Sequence, residues 1–302
     1  MWYFLISRRY LPIPGLSQAA VSYIKKNYKQ RELLEECVAF VGCNIEDAPP
    51  PSSDVLVKRV GFFPWTETSR DLDQALNLAI ISFYKASWDH LRRALELIVV
   101  GAFFSSSVSK EEDARDWLQS DHKTPFFSRA LSTLCKLPKY QDFDSAINWT
   151  SKLKELYWQL SDIVHVRGIE ASFDKIQPSN LHLGDKFVPR YDAKCLNRVL
   201  DYYIFTVRHC ATVVAISNPV LLVGLPIDEK FGFNPPVSGF FNVGQAEMLF
   251  NLVLPETGAF FRDLIKNDQG VQSIVDWVRN KPDLTEEDLK RQSSSMDEML
   301  GV

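Results

Sequence analysis

Residues 69–104 read SRDLDQALNLAIISFYKASWDHLRRALELIVVGAFF, and the fold class turns on them. Leu76, Ile80, Tyr84, Trp88, Leu91, Leu95, Ile98 and Ala102 recur at steps of three and four. That spacing lines apolar side chains along one face of an α-helix. One long helix is predicted from about Ser69 to Phe104, ended by Ser105-Ser106-Ser107.

Two more long helices share the pattern. Asp144 to Val166 carries Ile147, Leu153, Leu156, Tyr157, Leu160, Ile163 and Val164, with Gly168 as its stop. Tyr191 to Ser217 carries Leu196, Val199, Tyr203, Val207, Cys210 and Val214. Shorter helices are predicted over Lys110–Ser120 and Phe126–Lys136, and residues 15–43 read as helical with Ser17 as N-cap. The prolines at 49–51 break the chain, and Asp54–Phe63 reads as a strand or extended segment. Residues 169–190 are polar and irregular.

After Pro219 the character changes. Val220–Leu225 and Gly239–Val243 read as strands, followed by helices near Gly258–Ile265 and Val271–Arg279. The expected fold class is therefore mainly α: a helical bundle with a small C-terminal α/β appendage. Residues 1–68 form an N-terminal arm and helix on the bundle, 69–217 the bundle, 218–285 the appendage, and 286–302 a polar tail that frays.

Composition narrows the function classes. Of 302 residues, 46% are apolar and 24% charged, with 20 Phe, 10 Tyr and 7 Trp, enough for a sizeable core. A net charge of −4 gives no global basic field for coating nucleic acid. The five cysteines are odd in number and without CxxC, which fits buried free thiols in a reducing, cytoplasmic setting. Met1–Arg9 is apolar but too short to span a bilayer and reads as a strand or core-anchoring arm; no membrane span is expected. His and Cys do not cluster at metal-ligand spacing, and P-loop, GxGxxG and HExxH motifs are missing, so no metal or cofactor is expected.

Ionisable residues inside the apolar helices are the candidates for chemistry. Ser87-Trp88-Asp89-His90-Leu91-Arg92-Arg93-Ala94-Leu95-Glu96-Leu97 places Arg92 four before Glu96 and Asp89 four before Arg93. Such pairs stabilise a helix by a few tenths of a kcal/mol each. A partly buried Arg92–Glu96 pair would instead shape a cleft. In the second helix His165 follows Ser161 by four and Asp162 by three, so Asp162 can orient the imidazole and Ser161 share a hydrogen bond with it. A histidine near a helix C-terminus is equally satisfied as a structural residue. Arg208-His209 falls between the main apolar positions of its helix and reads as exposed. Phe103, Phe104, Phe126 and Phe127 read as core, and Asp228-Glu229-Lys230 as a solvated turn.

Three parts of this layout carry a resemblance: the Arg92-xxx-Glu96 helix, the Trp-containing linker ending in Thr124-Pro125-Phe126-Phe127, and Tyr157-xx-Leu160-Ser161-xx-Val164-His165. Together they span roughly residues 73–168, about a third of the chain, and resemble bacterial proteins of the HEPN class. The resemblance implies a helical bundle, commonly dimeric, and for many members ribonuclease activity in toxin–antitoxin, CRISPR-associated or phage-defence systems. Their catalytic signature is an Arg, four to six residues, then a His. Here the positions before His165 that would hold the Arg are Trp158, Gln159 and Leu160, and Arg167 follows the His instead. A literal match, Arg115 to His122, is what chance yields about once in a chain of this composition.

Three functions follow as expectations. In the first, the protein acts in defence or a toxin–antitoxin system as a homodimer that binds a protein partner or RNA. In the second, it is a metal-independent ribonuclease: His165, Arg92 and Glu96 form the catalytic group, and Arg93, Ser161, Asp162 and Arg167 bind. In the third, it senses a small molecule or nucleotide in a cleft between bundle and appendage.

Overall fold

The computed structural model describes residues 15–43, 45, 55–121, 123–165, 190–232 and 239–300. Met1–Arg9, His122, Arg167, Gly168 and the irregular stretch 169–189 lie outside the described residues. Among the described residues every regular element is helical, and the chain is mainly α.

In chain order the first helices are α1 (Leu16–Asn27), α2 (Arg31–Cys43), α3 (Val55–Ile80), α4 (Tyr84–Phe104), α5 (Glu111–Leu118) and α6 (Phe127–Leu134). They are followed by α7 (Pro138–Ile147), α8 (Trp149–Val164) and α9 (Ala193–Ser217). The C-terminal part adds α10 (Ile227–Phe231), α11 (Val243–Leu252), α12 (Gly258–Asn267), α13 (Gln269–Arg279) and α14 (Glu286–Leu300), with 3₁₀ turns at Pro219–Leu222 and Pro255–Thr257.

The predicted 69–104 helix is two helices. The chain reverses at Ile81-Ser82-Phe83, where Ser82 takes φ 68°. This turn folds α4 back along α3, so the shared apolar spacing becomes one seam between two helices. Asp54–Phe63 is corrected in the same way: from Val55 it is the first part of α3, and Pro64 sits inside that helix. The β-branched Val55, Val57 and Val60 fit a strand locally, but the segment opens a helix that packs on α4. The predicted 144–166 helix is also broken, at Asn148 with φ 54°. Asparagine tolerates this left-handed conformation better than most residues.

Packing of α3 on α4 is close. Trp65 is fully buried, and its indole N–H donates to the Ile98 carbonyl at 3.1 Å. Gly101 leaves the space for that ring; a Cβ there would overlap the indole. Helix α4 also meets α6, α8 and α9, and α9 packs on α3 as well.

Helix α9 is the axis of the core. Val199, Val207, Cys210, Ala211, Val213 and Val214 are all but inaccessible. By length and composition α9 is apolar enough to cross a membrane, and 78% of its apolar window is covered by the fold. It starts on an Asp192 cap, whose carboxylate accepts from the Cys195 N–H at 2.9 Å. Tyr84 at the start of α4 brackets that cap, donating to the Asp192 carbonyl and accepting from its N–H.

The expected α/β appendage is helical among the described residues. Val220–Leu225 begins as a 3₁₀ turn, and Gly239–Asn242 is an irregular lead into α11. Asn242 and Gln245 form a reciprocal capping box that starts α11, which a strand ending at Val243 would forbid. Nor does the core stop at Ser217: Leu221, Phe241, Leu249 and Phe261 join the same cluster as Leu91 and Val207. A second, smaller cluster forms around Val220, Val271, Val275 and Val278. The tail expected to fray is helix α14, opened by Thr285, which caps through hydrogen bonds with Asp288.

Candidate functional site

Helix α4 is covered by α3 on one flank and by α6 and α8 on the other. Between them runs a polar stripe that includes Asp89, Arg92, Arg93 and Glu96, with a separate polar cluster on each flank.

On the α8 flank, the Arg92 guanidinium donates to Glu96 at 2.8 Å, one helical turn away. The same carboxylate oxygen accepts from the Tyr157 hydroxyl of α8 at 2.8 Å. Arg92 stands over the Tyr157 ring at 5.9 Å, and that ring stacks on Phe127 of α6 with centroids 4.1 Å apart. Burial works against the Arg92 charge, but Glu96 outweighs it and strengthens the base. Burial and Glu96 both hold the Tyr157 phenol protonated. The predicted Arg92–Glu96 pair therefore forms, partly buried, and joins three helices.

On the α3 flank the predicted Asp89–Arg93 pair gives way to a tertiary one. Arg93 reaches Asp71 of α3 at 3.4 Å, while Asp89 lies 4.0 Å from Arg92. Asp71 is nearly inaccessible, and its Oδ1 lies 2.7 Å from Nδ1 of His90. Its other oxygen is buried with no hydrogen-bond partner among the described residues. A carboxylate behind one imidazole nitrogen orients the ring and favours a proton on that nitrogen, leaving the other as base. Arg93, about half exposed, adds a cation beside it.

Local spacing missed Asp71 because nineteen residues and the turn at Ser82 separate it from His90. A signal was nevertheless there. Asp71 lies four before Ala75 and eight before Ala79, both fully buried, so helical register alone puts its carboxylate on the core side.

Of the remaining predicted site residues, Ser161, Asp162 and His165 lie at the C-terminal end of α8, and Arg167 lies outside the described residues. His165 is the exposed C-cap of α8, its backbone N–H donating to the Ser161 carbonyl at 2.9 Å. It follows Tyr157 by eight residues, or about 12 Å of helical rise. Ser161 is buried, and its hydroxyl has no hydrogen-bond partner among the described residues, so the bond expected with His165 is not made. Asp162 is half-buried on α8.

Two aromatic and histidine readings change. Phe104 and Phe127 are core, as expected, and Phe103 packs partly buried. Phe126, at the start of α6, is 79% exposed, and Trp158, beside Tyr157, is 54% exposed. His209, expected at the surface, is wholly buried, because α9 is surrounded by other elements. Neither of its ring nitrogens has a hydrogen-bond partner among the described residues, and burial lowers its pKa to about 4. Arg208 holds the end of α11 through the Leu252 and Val253 carbonyls. Lys230, read as part of a solvated turn, instead ties α10 to the end of α13 through the Lys281 carbonyl and Asp283.

Cys37, Cys195 and Cys210 are buried cysteines. Burial pushes Cys37 and Cys195 up to about 12, which leaves them unreactive as nucleophiles. Comparison with protein-family models, curated proteins and solved structures finds no match to this chain.

Proposed function

We propose that this chain is a HEPN-like binding protein of a bacterial defence or toxin–antitoxin system. Its α4–α6–α8 face docks a macromolecular partner, first of all a second copy of the chain. The supporting observation is the pairing of a satisfied polar network with exposed aromatics: Arg92, Glu96 and Tyr157 engage one another, while Trp158 and Phe126 stand out beside them. Aromatic and Arg side chains are enriched where proteins bind one another. The mixed charge of the stripe favours a protein over a polyanion. Sedimentation velocity of the wild type and of Trp158→Ala/Phe126→Ala tests the reading. A dimer that the double substitution converts to monomer supports it; a monomeric wild type at tens of micromolar overturns the homodimer.

A second reading, metal-independent RNA cleavage, draws on Asp71, His90 and Arg93. His90, held by Asp71, would take the proton of a ribose 2′-hydroxyl as that oxygen attacks the adjacent phosphorus. Arg93 would neutralise the phosphate, and the 5′-oxygen would leave with a proton from water. Cleavage of total RNA and tRNA by the wild type, His90→Ala and His165→Ala decides it. Loss with His90→Ala alone supports this site, loss with His165→Ala alone moves it to the end of α8, and an inactive wild type removes the reading.

A further inference from the structure

A cavity of about 340 Å³ opens where the end of α4, the start of α7 and the last residue of α9 meet. Its walls include Ser105 and Ser107 from α4's end, Lys139 and Tyr140 from α7, and Ser217 from α9. It is separate from the α4–α8 face and is used by neither reading above.

Ser217 gathers two reactive groups. Its carbonyl accepts from the Lys139 Nζ at 2.9 Å, and its hydroxyl lies 2.9 Å from the Tyr140 hydroxyl. The carbonyl is one that the end of α9 leaves unsatisfied, so part of Lys139's role is to pin that end. A pin explains the N–H···O bond. It does not explain the open cavity that Lys139, Tyr140 and Ser217 line, nor the missing counter-ion among the described residues. No carboxylate pairs with Lys139 among the described residues; Asp268, at the head of α13, acts on it only at a distance. Burial brings the ammonium down to about 8, against the pull of Asp268. Burial moves the Tyr140 phenol the other way, so it stays protonated. An amine available as free base beside a protonated hydroxyl pair is the equipment for condensation with a carbonyl group.

We propose that this cavity binds a small aldehyde or ketone as an imine of Lys139. The Nζ lone pair attacks the carbonyl carbon, and the former carbonyl oxygen becomes a hydroxyl by taking a proton released from nitrogen. The hydroxyl then departs as water with a proton relayed through Tyr140 and Ser217. A second proton leaves nitrogen to restore the relay, and C=N remains. One carbonyl compound and one amine give one imine and one water, with no redox change.

The test uses the full chain with glycolaldehyde and cyanoborohydride, which reduces an imine to a stable secondary amine. Peptide mass mapping then follows each lysine. At pH 7.5, Lys139 should be labelled roughly tenfold or more faster than the exposed Lys26 and Lys85, because burial leaves part of it as free base beside the cavity. Its rate should level off above about pH 8. Tyr140→Phe should slow labelling several-fold without moving that midpoint. Lys139→Arg should abolish labelling at this site while preserving the pin and the melting temperature. Labelling of native Lys139 no faster than Lys26 and Lys85 would overturn the proposal.

Discussion

His90 and His209 belong to one bundle and meet opposite surroundings. His90 sits at the edge of the α3–α4 seam, with Asp71 behind one nitrogen and the Arg92–Arg93 stripe beside it. His209 sits inside α9, packed edge-on against Phe205, with both nitrogens unpartnered among the described residues. At the edge, a polar group has been given partners and remains reachable. In the interior, the packing of α9 has overridden a polar group and lowered its proton affinity. A group in the first kind of region can be offered to a ligand, and a liability to acid belongs to the second.

The largest expected effect tests the interior. His209 has a folded-state pKa near 4 against an ordinary value of 6.5, so the unfolded chain takes up the proton first. Its contribution to stability is complete above about pH 6.5 and is lost as the pH falls through 4. The loss comes to roughly 3 kcal/mol. Urea unfolding of the wild type and His209→Leu across this range should show a steep acid limb that the substitution flattens. Equal slopes would mean that His209 finds a partner in solution.

Close packing in the interior sets the next effect. Gly→Ala inside a helix ordinarily stabilises by up to about 1 kcal/mol. At Gly101 the sign should reverse, because the added methyl meets the Trp65 ring. A destabilisation of about 1–3 kcal/mol is expected, as for other overpacked cores. Gly101→Ala with a raised melting temperature would show that α3 and α4 can separate without loss.

The edge should respond more mildly. Asp71→Asn keeps the shape but weakens the hold on His90 and Arg93, at a cost of about 1–2 kcal/mol. It should also shift the His90 imidazole resonances in NMR; unchanged resonances would dissolve the cluster. Smallest in stability is Trp158→Ala, within about 0.5 kcal/mol because the ring is half exposed. Its effect should appear in self-association instead. A large loss of stability without any change in association would make Trp158 a packing residue and blur the contrast between edge and interior.

Much of the helical content was legible because apolar spacing is local. The stripes over 76–102, 153–164 and 196–214 appear as α3–α4, α8 and α9. Breaks within those stripes were harder to read. Asn148 carries a residue-type signal for its left-handed turn, but Ser82 carries almost none, and its φ of 68° follows from α4 folding back on α3. Strands were predicted where short apolar runs such as Val220–Leu225 fit either structure; that run begins as a 3₁₀ turn, with Leu221 and Leu222 on the main core and Val220 and Leu225 in the second cluster.

The site was legible to the same depth. Arg92–Glu96 is four residues apart, and the pair forms as the spacing requires. Tyr157 and Asp71 approach from other helices, sixty-one and nineteen residues from their partners, beyond the reach of any local pattern. Sequence by itself determined that this protein is helical, which faces are apolar, and that charged residues lie within them, because side-chain periodicity follows from 3.6 residues per turn. Tertiary structure alone decided which charges meet, that His209 is buried while Phe126 and Trp158 are not, and that Lys139 faces a cavity. Those outcomes depend on which helices share a face, and that is set by the sum of many weak contacts distant in sequence.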